Sequence, residues 1–455
     1  MAEKIHFIAI GGSAMHSLAI ALSEAGKQVS GSDDAIFDPS RSKLKDHDLL
    51  PKALGWFPDK ITSDLDAVIL GMHAKKDNPE LLAAQKLGIK IYSYPEYLYH
   101  INQHKTRIVI AGSHGKTTIT AMILHVLKYH DISIDFMIGA ALAGYDNAVH
   151  LTSTNDFVLL EGDEYLSSPI DNRSKFLWYQ PQIAVISGIA RDHINVFPTE
   201  ESYEKQFVSF IDSIQAGGVL IYNQEDPKVN RLALASQNAI KKTAYQAVAV
   251  QVIDGVSYWL TEEGPIPLSF FGQHNMSNMA AAQWVCQLLG VQEDDFILAI
   301  SSFTGASKRL QGLAQGQTSR LYKDFAHAPS KVQATTQAVK DQFPQKKLVA
   351  CLELHTFSSL SPDFLPTYHE TLAAADQVFV FYDPKTLEIK KRPPIEPQMI
   401  EKAFEHPNLK VFVQPESLHK ELLQTDYKDS VLLMMSSGNY GGIDWDVLAE
   451  HINVF

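Results

Sequence analysis

The sequence has few cysteines, no long apolar run and a deficit of positive charge, and each of these excludes a class of protein. Cys286 and Cys351 are the only two cysteines, which is too few for a disulfide scaffold and is typical of a reducing compartment. No apolar stretch approaches the roughly 18 residues that a membrane-spanning helix needs. The formal net charge of -13 disfavours nucleic-acid binding, because nucleic-acid-binding surfaces are basic. We therefore expect a cytoplasmic protein, without a nucleic-acid or membrane partner, whose sites for anionic ligands are built locally.

The length and the order of the apolar segments predict an α/β protein of three domains. A chain of 455 residues is too long for one core, since domains run to about 100–200 residues. Short apolar strands alternate with helical stretches from Ile5 to Tyr92, again from Arg107 and again from Phe303, a rhythm typical of doubly wound parallel sheets. We place the domains at residues 1–104, 105–302 and 303–455. The first and third are predicted to be Rossmann-like, and the central one to be a further α/β domain.

A glycine-rich turn between a strand and a helix is the strongest local motif. It reads Gly112-Ser113-His114-Gly115-Lys116-Thr117-Thr118, after the apolar strand Arg107–Ala111. Glycines let backbone N–H groups turn toward phosphate oxygens, and the start of the helix adds its positive dipole end. The lysine is placed to reach terminal phosphates, and a following threonine hydroxyl to hold Mg²⁺. The loop is shorter than the ordinary phosphate loop, whose first glycine would fall on Ile110. The alternative is a glycine-rich turn with a solvated lysine.

The N-terminal turn at Gly11-Gly12 is a weaker motif. In the dinucleotide fingerprint the glycines would fall on Ala9, Gly11 and Ala14, so only the middle glycine is present. Asp33 follows the second strand, where a ribose-binding acid would lie. A dinucleotide site, a site for the diphosphate of another nucleotide, and a plain strand–helix turn all remain open.

Acidic residues and a histidine follow two apolar strands of the second domain. Phe157–Leu160 leads into Glu161-Gly162-Asp163-Glu164, and Ile183–Ser187 leads to Arg191-Asp192-His193. The carboxyl ends of parallel strands meet at the ligand-binding edge of a sheet, where carboxylates can hold Mg²⁺ against phosphates. The alternatives are solvated loop charges and a histidine packed under a loop. The neighbouring phosphate loop favours the metal site.

Two polar motifs lie further along the chain. Asn275 and Asn278 share one face of a predicted helix and could reach an adenine edge, although an amide is also a common helix cap. The basic pair Lys308-Arg309 precedes the stretch Tyr322–Pro329. Cations near phosphates stabilise charge during transfer, but a solvated loop is an equally simple interpretation of each motif alone.

Taken together, these motifs resemble the muramyl (Mur) ligases of peptidoglycan synthesis over essentially the whole chain. They occur in the order GSHGKTT, EGDEY, RDHINVF, GQHNMSN, KRLQG and DFAHAP. The resemblance implies a nucleotide-sugar domain, a central ATPase domain and a C-terminal Rossmann-like domain. It also implies that ATP and Mg²⁺ serve to make an acyl phosphate, which an incoming amine attacks.

The resemblance also implies roles for individual residues. Lys116 would bind the γ-phosphate, and Thr117, Glu164 and His193 would ligate Mg²⁺. The nucleotide would lie on the turn Gly112–Thr118. The adenine would lie between Asn275 and Asn278, and Arg309, Asp324 and His327 of the C-terminal domain would close over ATP. The diphosphate of a UDP-sugar would face Gly11, Gly12 and Ser13, with Asp33 on the uridine side. Of these, Lys116, Glu164, His193 and Arg309 would form the catalytic set.

The sequence departs from the family pattern at three places. Gln311 follows Leu310 where a glutamate is usual, and Ala328 replaces the second histidine of a His-His-Pro motif. Phe207 stands in register with a lysine that is carbamylated in several members of the family. A carbamate is therefore not expected here.

Within the family, the resemblance favours a recycling ligase that joins the tripeptide L-alanyl-γ-D-glutamyl-meso-diaminopimelate to UDP-N-acetylmuramate. Asp171–Phe176 and Met435–Ile443 resemble that branch, whereas Leu354–Ser358 resembles the branch that adds L-alanine, which is the alternative. Arg173, Lys175 and the turn Gly438–Gly442 would offer charge and room for a peptide.

Two other classes compete with a ligase. A nicotinamide dehydrogenase would use the N-terminal turn but leaves the Gly-Lys-Thr-Thr motif unexplained. A binding protein regulated by a nucleotide would use that motif but would release no phosphate.

Overall fold

The structure is a computed structural model that describes residues 2–139, 142, 144–191, 196–305 and 310–455. The chain forms two compact units. The first comprises Met1–Gln246 with Ala280–Phe296, and the second Ala247–Met279 with Ile297–Phe455.

The first unit begins with a small parallel sheet. Its strands are β1 (Lys4–Ile8), β2 (Gln28–Ser32), β3 (Ala67–Leu70) and β4 (Ile91–Ser93), and its helices are α1 (Ser13–Glu24), α2 (Ser40–Asp46), α3 (Pro79–Leu87) and α4 (Tyr94–Ile101). The strand order is β2-β1-β3-β4, and every pair is parallel. The order reverses at β1, so the turn after this strand opens a crevice of the kind that binds ligands in α/β folds.

A larger sheet follows in the same unit. Its strands are β5 (Thr106–Ala111), β6 (Asp135–Met137), β7 (Val149–His150), β8 (Phe157–Gly162), β11 (Ile183–Ile186), β12 (Val219–Asn223) and β13 (Lys241–Tyr245), and a separate hairpin is formed by β9 (Leu166–Ser168) and β10 (Asp171–Ser174). Its helices are α5 (Lys116–Tyr129), α6 (Glu200–Ser213) and α7 (Pro227–Ala235). The order is β13-β12-β11-β5-β8-β6-β7, and only β7 is antiparallel to its neighbour. Strand β5 lies between β8 and β11, so the loops after these three strands share one edge.

The second unit starts with a three-stranded antiparallel sheet of β14 (Val250–Ile253), β15 (Val256–Thr261) and β16 (Gly264–Leu268). Helices α8 (Gln273–Leu288) and α9 (Glu293–Ile300) contribute residues to both units.

The main sheet of the second unit is mostly parallel. Its strands are β17 (Gln311–Gln315), β18 (Arg320–Asp324), β19 (Lys347–Glu353), β20 (Gln377–Phe381), β21 (Leu409–Phe412) and β22 (Ser430–Met435), and its helices are α10 (Pro329–Gln342), α11 (Pro384–Ile389), α12 (Pro397–Phe404), α13 (Pro415–Gln424) and α14 (Trp445–Asn453). The order is β17-β18-β22-β19-β20-β21, with β17 antiparallel to β18. The carboxyl ends of β18, β19 and β22 are therefore adjacent.

The predicted α/β class is confirmed. The central strands β3, β8, β11, β19 and β22 are almost wholly buried, as expected for a parallel sheet covered on both faces by helices. The predicted strands Arg107–Ala111, Phe157–Leu160 and Ile183–Ser187 correspond to β5, β8 and β11, whose bounds differ from the prediction by one or two residues. Among the described residues, no helix is both long enough and apolar enough to cross a membrane.

Candidate active site

The predicted phosphate loop is a tight turn between β5 and α5. Gly112 has φ +132° and Gly115 has φ +82°, backbone conformations that glycine adopts without steric strain. A Cβ atom on Gly112 would lie 2.2 Å from Ser187 Oγ, which follows the neighbouring strand β11. Glycine at this position therefore lets the loop close against the adjacent strand end, with its amides at the start of α5.

Lys116 is the first residue of α5, and its ammonium lies inside the loop. The Nζ atom donates to the carbonyl oxygen of Gly112 at 2.5 Å and to Glu164 Oε2 at 3.0 Å. Burial disfavours the charged form, but the carboxylates of Glu164, Asp163 and Glu161 outweigh burial and raise the pKa of Lys116. The structure therefore keeps a cation where the sequence predicts terminal phosphates.

Thr117 is linked to the acidic loop after β8. Its hydroxyl donates to Glu161 Oε1 at 2.7 Å, and the other oxygen of Glu161 accepts the Gly139 amide at 2.6 Å. A hydroxyl and a carboxylate thus meet at the first turn of α5. The sequence identified both residues but did not pair them.

Glu164 is the more buried of the two glutamates. Its Oε1 accepts from the Tyr203 hydroxyl at 2.7 Å, and the hydroxyls of Tyr203 and Ser113 are 2.8 Å apart. Ser113 Oγ in turn accepts the amide of Ala190 at 2.8 Å. Tyr203, on α6, is a residue of the site that the sequence did not identify.

Arg173 and Lys175, the cations predicted to serve a peptide substrate, both have acidic neighbours. Arg173 Nε lies 3.0 Å from Asp171 Oδ1, and its guanidinium stacks 3.7 Å from the centre of the Trp178 ring. Lys175 Nζ lies 2.5 Å from Asp163 Oδ2. Their charges are therefore largely compensated within the hairpin and the loop before it.

Asp33 holds the turn after β1. Its Oδ2 accepts the Gly11 amide at 2.7 Å, and the side chain is 6% exposed. Burial raises the pKa of Asp33 above its usual value, although the hydrogen bonds from Gly11 and Ala35 oppose the shift. Gly12 directly precedes α1, which begins at Ser13. The predicted substrate residues Gly11, Gly12, Ser13 and Asp33 therefore lie together around the start of this helix.

In the second unit, Asn275 and Asn278 lie in the first turns of α8. Asn275 Nδ2 donates to the Phe271 carbonyl oxygen at 2.8 Å, and Asn278 Nδ2 lies 3.3 Å from Asn275 Oδ1. The two amides share a helix face, as predicted, and bond to each other.

Asp324 and His327 lie at and just after the end of β18. Asp324 accepts the amides of Leu310 at 2.6 Å and Ala326 at 2.7 Å. His327 Nδ1 lies 2.7 Å from the carbonyl oxygen of Phe325, and its own carbonyl oxygen accepts the Tyr368 hydroxyl. Asp324 thus shapes the turn that presents His327.

A further polar group lies at the same edge, after β19 and β22; the sequence analysis named its turn Gly438–Gly442 but not Glu353 or Lys390. Buried Glu353 accepts the Tyr440 amide at 2.9 Å and the Ser436 hydroxyl, and it lies 3.7 Å from His355 Nδ1. A Cβ on Gly438 would lie 2.7 Å from Glu353 Oε2, so glycine is needed for this approach.

Lys390, just after α11, completes this group. Its ammonium donates to the carbonyl oxygen of His355 and lies 5.1 Å from the centre of the Phe357 ring. Burial lowers the pKa of Lys390. Burial, followed by the charge of Lys390, lowers the pKa of His355.

Two predicted catalytic residues, His193 and Arg309, lie outside the described residues. Among the residues that are described, no group of three or more His, Cys, Asp or Glu side chains could hold a metal ion. Any Mg²⁺ bound by the described residues would therefore depend on Thr117, Glu161 and Glu164 together with oxygens of the nucleotide.

The sequence matches two family models, the Mur ligase family catalytic domain over residues 4–106 and the Mur ligase middle domain over residues 110–286. It is 32% identical over 391 residues to a UDP-N-acetylmuramate–L-alanine ligase of Caldicellulosiruptor bescii, covering 83% of each chain. It is 26% identical over 458 residues to a UDP-N-acetylmuramate–L-alanyl-γ-D-glutamyl-meso-2,6-diaminoheptandioate ligase of Haemophilus influenzae, covering 98% of each chain.

The fold is also that of a murein peptide ligase from Psychrobacter arcticus, with a TM-score of 0.66 and 21% identity over 100% of this chain and 99% of that one. The family models, the identity to curated relatives and the phosphate loop with its cation agree. The chain belongs to the Mur ligase family and is an ATP-dependent ligase that forms C–N bonds.

Proposed function

We propose that this ligase joins the carboxylate of UDP-N-acetylmuramate to the α-amine of L-alanyl-γ-D-glutamyl-meso-diaminopimelate, in peptidoglycan recycling. The observation that carries the proposal is the end-to-end match, 98% of each chain, to a curated relative named for this tripeptide. The site supports the proposed chemistry, because one edge of the central sheet brings the Lys116 cation together with the oxygens of Thr117, Glu161 and Glu164.

The reaction needs activation because a free carboxylate is a poor electrophile. A carboxylate oxygen attacks the γ-phosphorus of ATP, the bond to the bridging oxygen breaks, and ADP leaves. The amine then attacks the carbonyl carbon, loses a proton and expels inorganic phosphate. Lys116 offsets the repulsion between the carboxylate and the triphosphate, a kind of electrostatic stabilisation that is worth about 3–4 kcal/mol at such sites.

The residues around the phosphate loop fit Mg²⁺. This ion prefers oxygen ligands and is commonly held by one or two carboxylates together with substrate phosphates. The Thr117 hydroxyl and the carboxylates of Glu161 and Glu164 supply such oxygens at the edge where the loop lies. When bound, Mg²⁺ would shield the phosphate oxygens. We assign Thr117 and Glu164, with His193, as its ligands.

The turn after β1 suits the diphosphate of the UDP-sugar. It combines the free amides at the start of α1 with the positive end of a helix of 12 residues. Asp33 fixes the Gly11 amide through its hydrogen bond, so its first role is to shape the turn. We propose that its second carboxylate oxygen faces the uridine.

The amine substrate is assigned to the C-terminal domain, at the edge where Glu353, His355 and Lys390 meet. A tripeptide of this type carries several carboxylates and so requires cations. In the described part of the chain, no carboxylate forms an ion pair with Lys390, whereas Arg173 and Lys175 each have one. Lys390 is therefore better placed than the two predicted cations to bind a substrate carboxylate.

We also propose the domain boundaries 1–104, 105–302 and 303–455. Each range contains one wholly or mostly parallel sheet, and residue 104 lies in the short connection between α4 and β5. The range 105–302 also includes the antiparallel sheet β14–β16, which belongs to the second compact unit.

A UDP-N-acetylmuramate–L-alanine ligase is the second candidate, favoured by several curated relatives of that name at 30–32% identity. The test is phosphate release with ATP and UDP-N-acetylmuramate against the tripeptide, its dipeptide and free L-alanine. We expect kcat/KM to be highest for the tripeptide. A higher value for L-alanine would assign the chain to the alanine-adding branch, and no release with any amine would refute both proposals.

A further inference from the structure

A chain of hydrogen bonds joins the phosphate loop, the acidic loop and helix α6. It runs from the Ala190 amide to Ser113 Oγ at 2.8 Å, across 2.8 Å to the Tyr203 hydroxyl, and on to Glu164 Oε1 at 2.7 Å. Glu164 Oε2 is 3.0 Å from Lys116 Nζ. The two loops are therefore connected through a tyrosine that belongs to neither.

The direction of donation along this chain is fixed. An ionised carboxylate only accepts hydrogen bonds, so Tyr203 must donate to Glu164. Its oxygen then accepts from the Ser113 hydroxyl, and Ser113 accepts from the Ala190 amide. The single proton of the Tyr203 hydroxyl is thus committed to Glu164.

Lys116 and Tyr203 are two of the partners of Glu164, and we expect ATP to compete for Lys116. Lys116 is held by Glu164 but is also the cation nearest to the expected phosphates, so nucleotide binding draws Lys116 away from this carboxylate. Glu164 is only 1% exposed, and water cannot readily replace the lost partner. The hydrogen bond from the Tyr203 hydroxyl is then one contact that still holds the carboxylate in place.

The ring of Tyr203 has a separate packing role. Its centroid lies 5.5 Å from that of Phe197 and 5.4 Å from that of Phe207, both edge to face. Phenylalanine would preserve these contacts, so the effect of the hydroxyl can be separated from the effect of the ring.

We propose that Tyr203 is a positioning residue, whose hydroxyl orients Glu164 toward Mg²⁺ in the nucleotide complex. The inference rests on the proposed Mg²⁺-dependent use of ATP. Partners that orient a metal ligand typically change metal affinity or activity about 10–100-fold when they are removed.

The test compares Tyr203→Phe with the unchanged protein by two measurements that need no turnover. Mn²⁺ binding in the presence of a non-hydrolysable ATP analogue, followed by electron paramagnetic resonance, should weaken roughly 10–100-fold. Binding of the same analogue in EDTA should change less than twofold. In turnover assays, the Mg²⁺ concentration for half-maximal rate should rise, whereas the KM for UDP-N-acetylmuramate should not.

Tyr97→Phe is the matched control. Tyr97 is a fully buried tyrosine of the N-terminal sheet whose hydroxyl is 3.4 Å from a carboxylate oxygen of Glu3. The Tyr97→Phe variant loses a buried tyrosine hydroxyl near a carboxylate, as Tyr203→Phe does, and should leave the affinity for Mn²⁺ unchanged. Ser113→Ala removes the upstream donor, and because Tyr203 can still donate to Glu164, its effect should be smaller. Adding Ser113→Ala to Tyr203→Phe should weaken Mn²⁺ binding little further.

Equal Mn²⁺ affinity in folded Tyr203→Phe and unchanged protein would overturn the inference. If Tyr203→Phe does not fold, unaltered Mn²⁺ affinity in Ser113→Ala would do the same. Failure of the proposed function is distinguishable, because the unchanged protein would then bind the nucleotide with Mn²⁺ but form no amide. An unchanged protein that binds no nucleotide with metal would overturn both.

Discussion

Removal of the Lys116 ammonium should lower both stability and rate, for different reasons. Lys116→Met keeps the length of the aliphatic chain but leaves the carboxylate of Glu164, 1% exposed, without its cation. Removing one partner of a buried ion pair typically costs about 3–5 kcal/mol. Because Lys116 itself is 15% exposed, we expect the lower end of this range, about 3 kcal/mol.

A second substitution separates these two effects. Glu164→Gln in the Lys116→Met background removes the carboxylate charge that has lost Lys116, while its side-chain oxygen still accepts from Tyr203. We expect the double variant to recover at least half of the lost stability. The kcat of the double variant should not recover. It should stay roughly 10²–10³-fold below that of the unchanged protein, because the charge-stabilising cation is still absent.

The assay is thermal unfolding of the unchanged protein, the two single variants Lys116→Met and Glu164→Gln, and the double variant, paired with phosphate release. A loss of about 3 kcal/mol should lower the transition of the first unit by roughly 6–12 °C. If the double variant were no more stable than Lys116→Met, the pair would not be the source of the instability. Near-normal turnover in a folded Lys116→Met variant would refute the assignment of Lys116 to the phosphates.

Two further substitutions test the loop and the amine site. Gly112→Ala should destabilise the protein by about 1–3 kcal/mol and weaken ATP binding, because the backbone is at φ +132° and the new Cβ would meet Ser187 Oγ at 2.2 Å. In a nucleotide titration, adding Ser187→Ala to Gly112→Ala should restore only part of the affinity for ATP, because it removes the clash with Oγ but not the backbone strain. Full restoration of the affinity would contradict this account. Lys390→Gln should raise the KM for the amine substrate about tenfold, as expected for one lost charge-assisted hydrogen bond, with kcat and the KM for ATP unchanged. The neighbouring exposed Lys391→Gln is its control, and equal KM values in the two variants would exclude Lys390 as a carboxylate ligand.

The phosphate loop could be predicted from sequence because its signals are local. The apolar strand, the glycines, the lysine and the start of α5 lie within 24 consecutive residues from Thr106 to Tyr129. The strand-end acids could be predicted for a related reason. In a parallel sheet the carboxyl ends of neighbouring strands meet, so residues far apart in sequence are placed at one edge by topology alone.

Tyr203 could not be predicted in this way. It is 39 residues from Glu164 and 90 from Ser113 in sequence, and it lies within a helix whose pattern is that of ordinary packing. The pairing of Lys390 with the carbonyl oxygen of His355 spans 35 residues and also has no local signal. Contacts of this kind depend on how helices pack on a sheet, and the period of a helix does not specify them.

Other elements do have a local signal, which lies in their turn and cap residues. Asp254-Gly255 joins β14 to β15 with both residues at positive φ, and an Asp-Gly pair between two apolar strands is a strong hairpin signal. Helix α4 begins with a capping box of Ser93 and Glu96, which is also readable from sequence. The βαβ rhythm alone specifies neither element, because a hairpin turn and a helix cap depend on the residues of the turn and of the cap.

The charge of the whole chain explains why the site is arranged in this way. With a formal net charge of -13, the protein repels polyphosphates at long range, so the cation that binds them must be present and fixed before they arrive. Glu164 fixes Lys116, and nearby carboxylates keep it charged despite burial. In the proposed mechanism, phosphate oxygens replace Glu164 as the partner of Lys116, so Lys116 exchanges one anion for another without first returning to water. Glu164 then keeps its hydrogen bond from the Tyr203 hydroxyl and is proposed to bind the metal that arrives with the nucleotide.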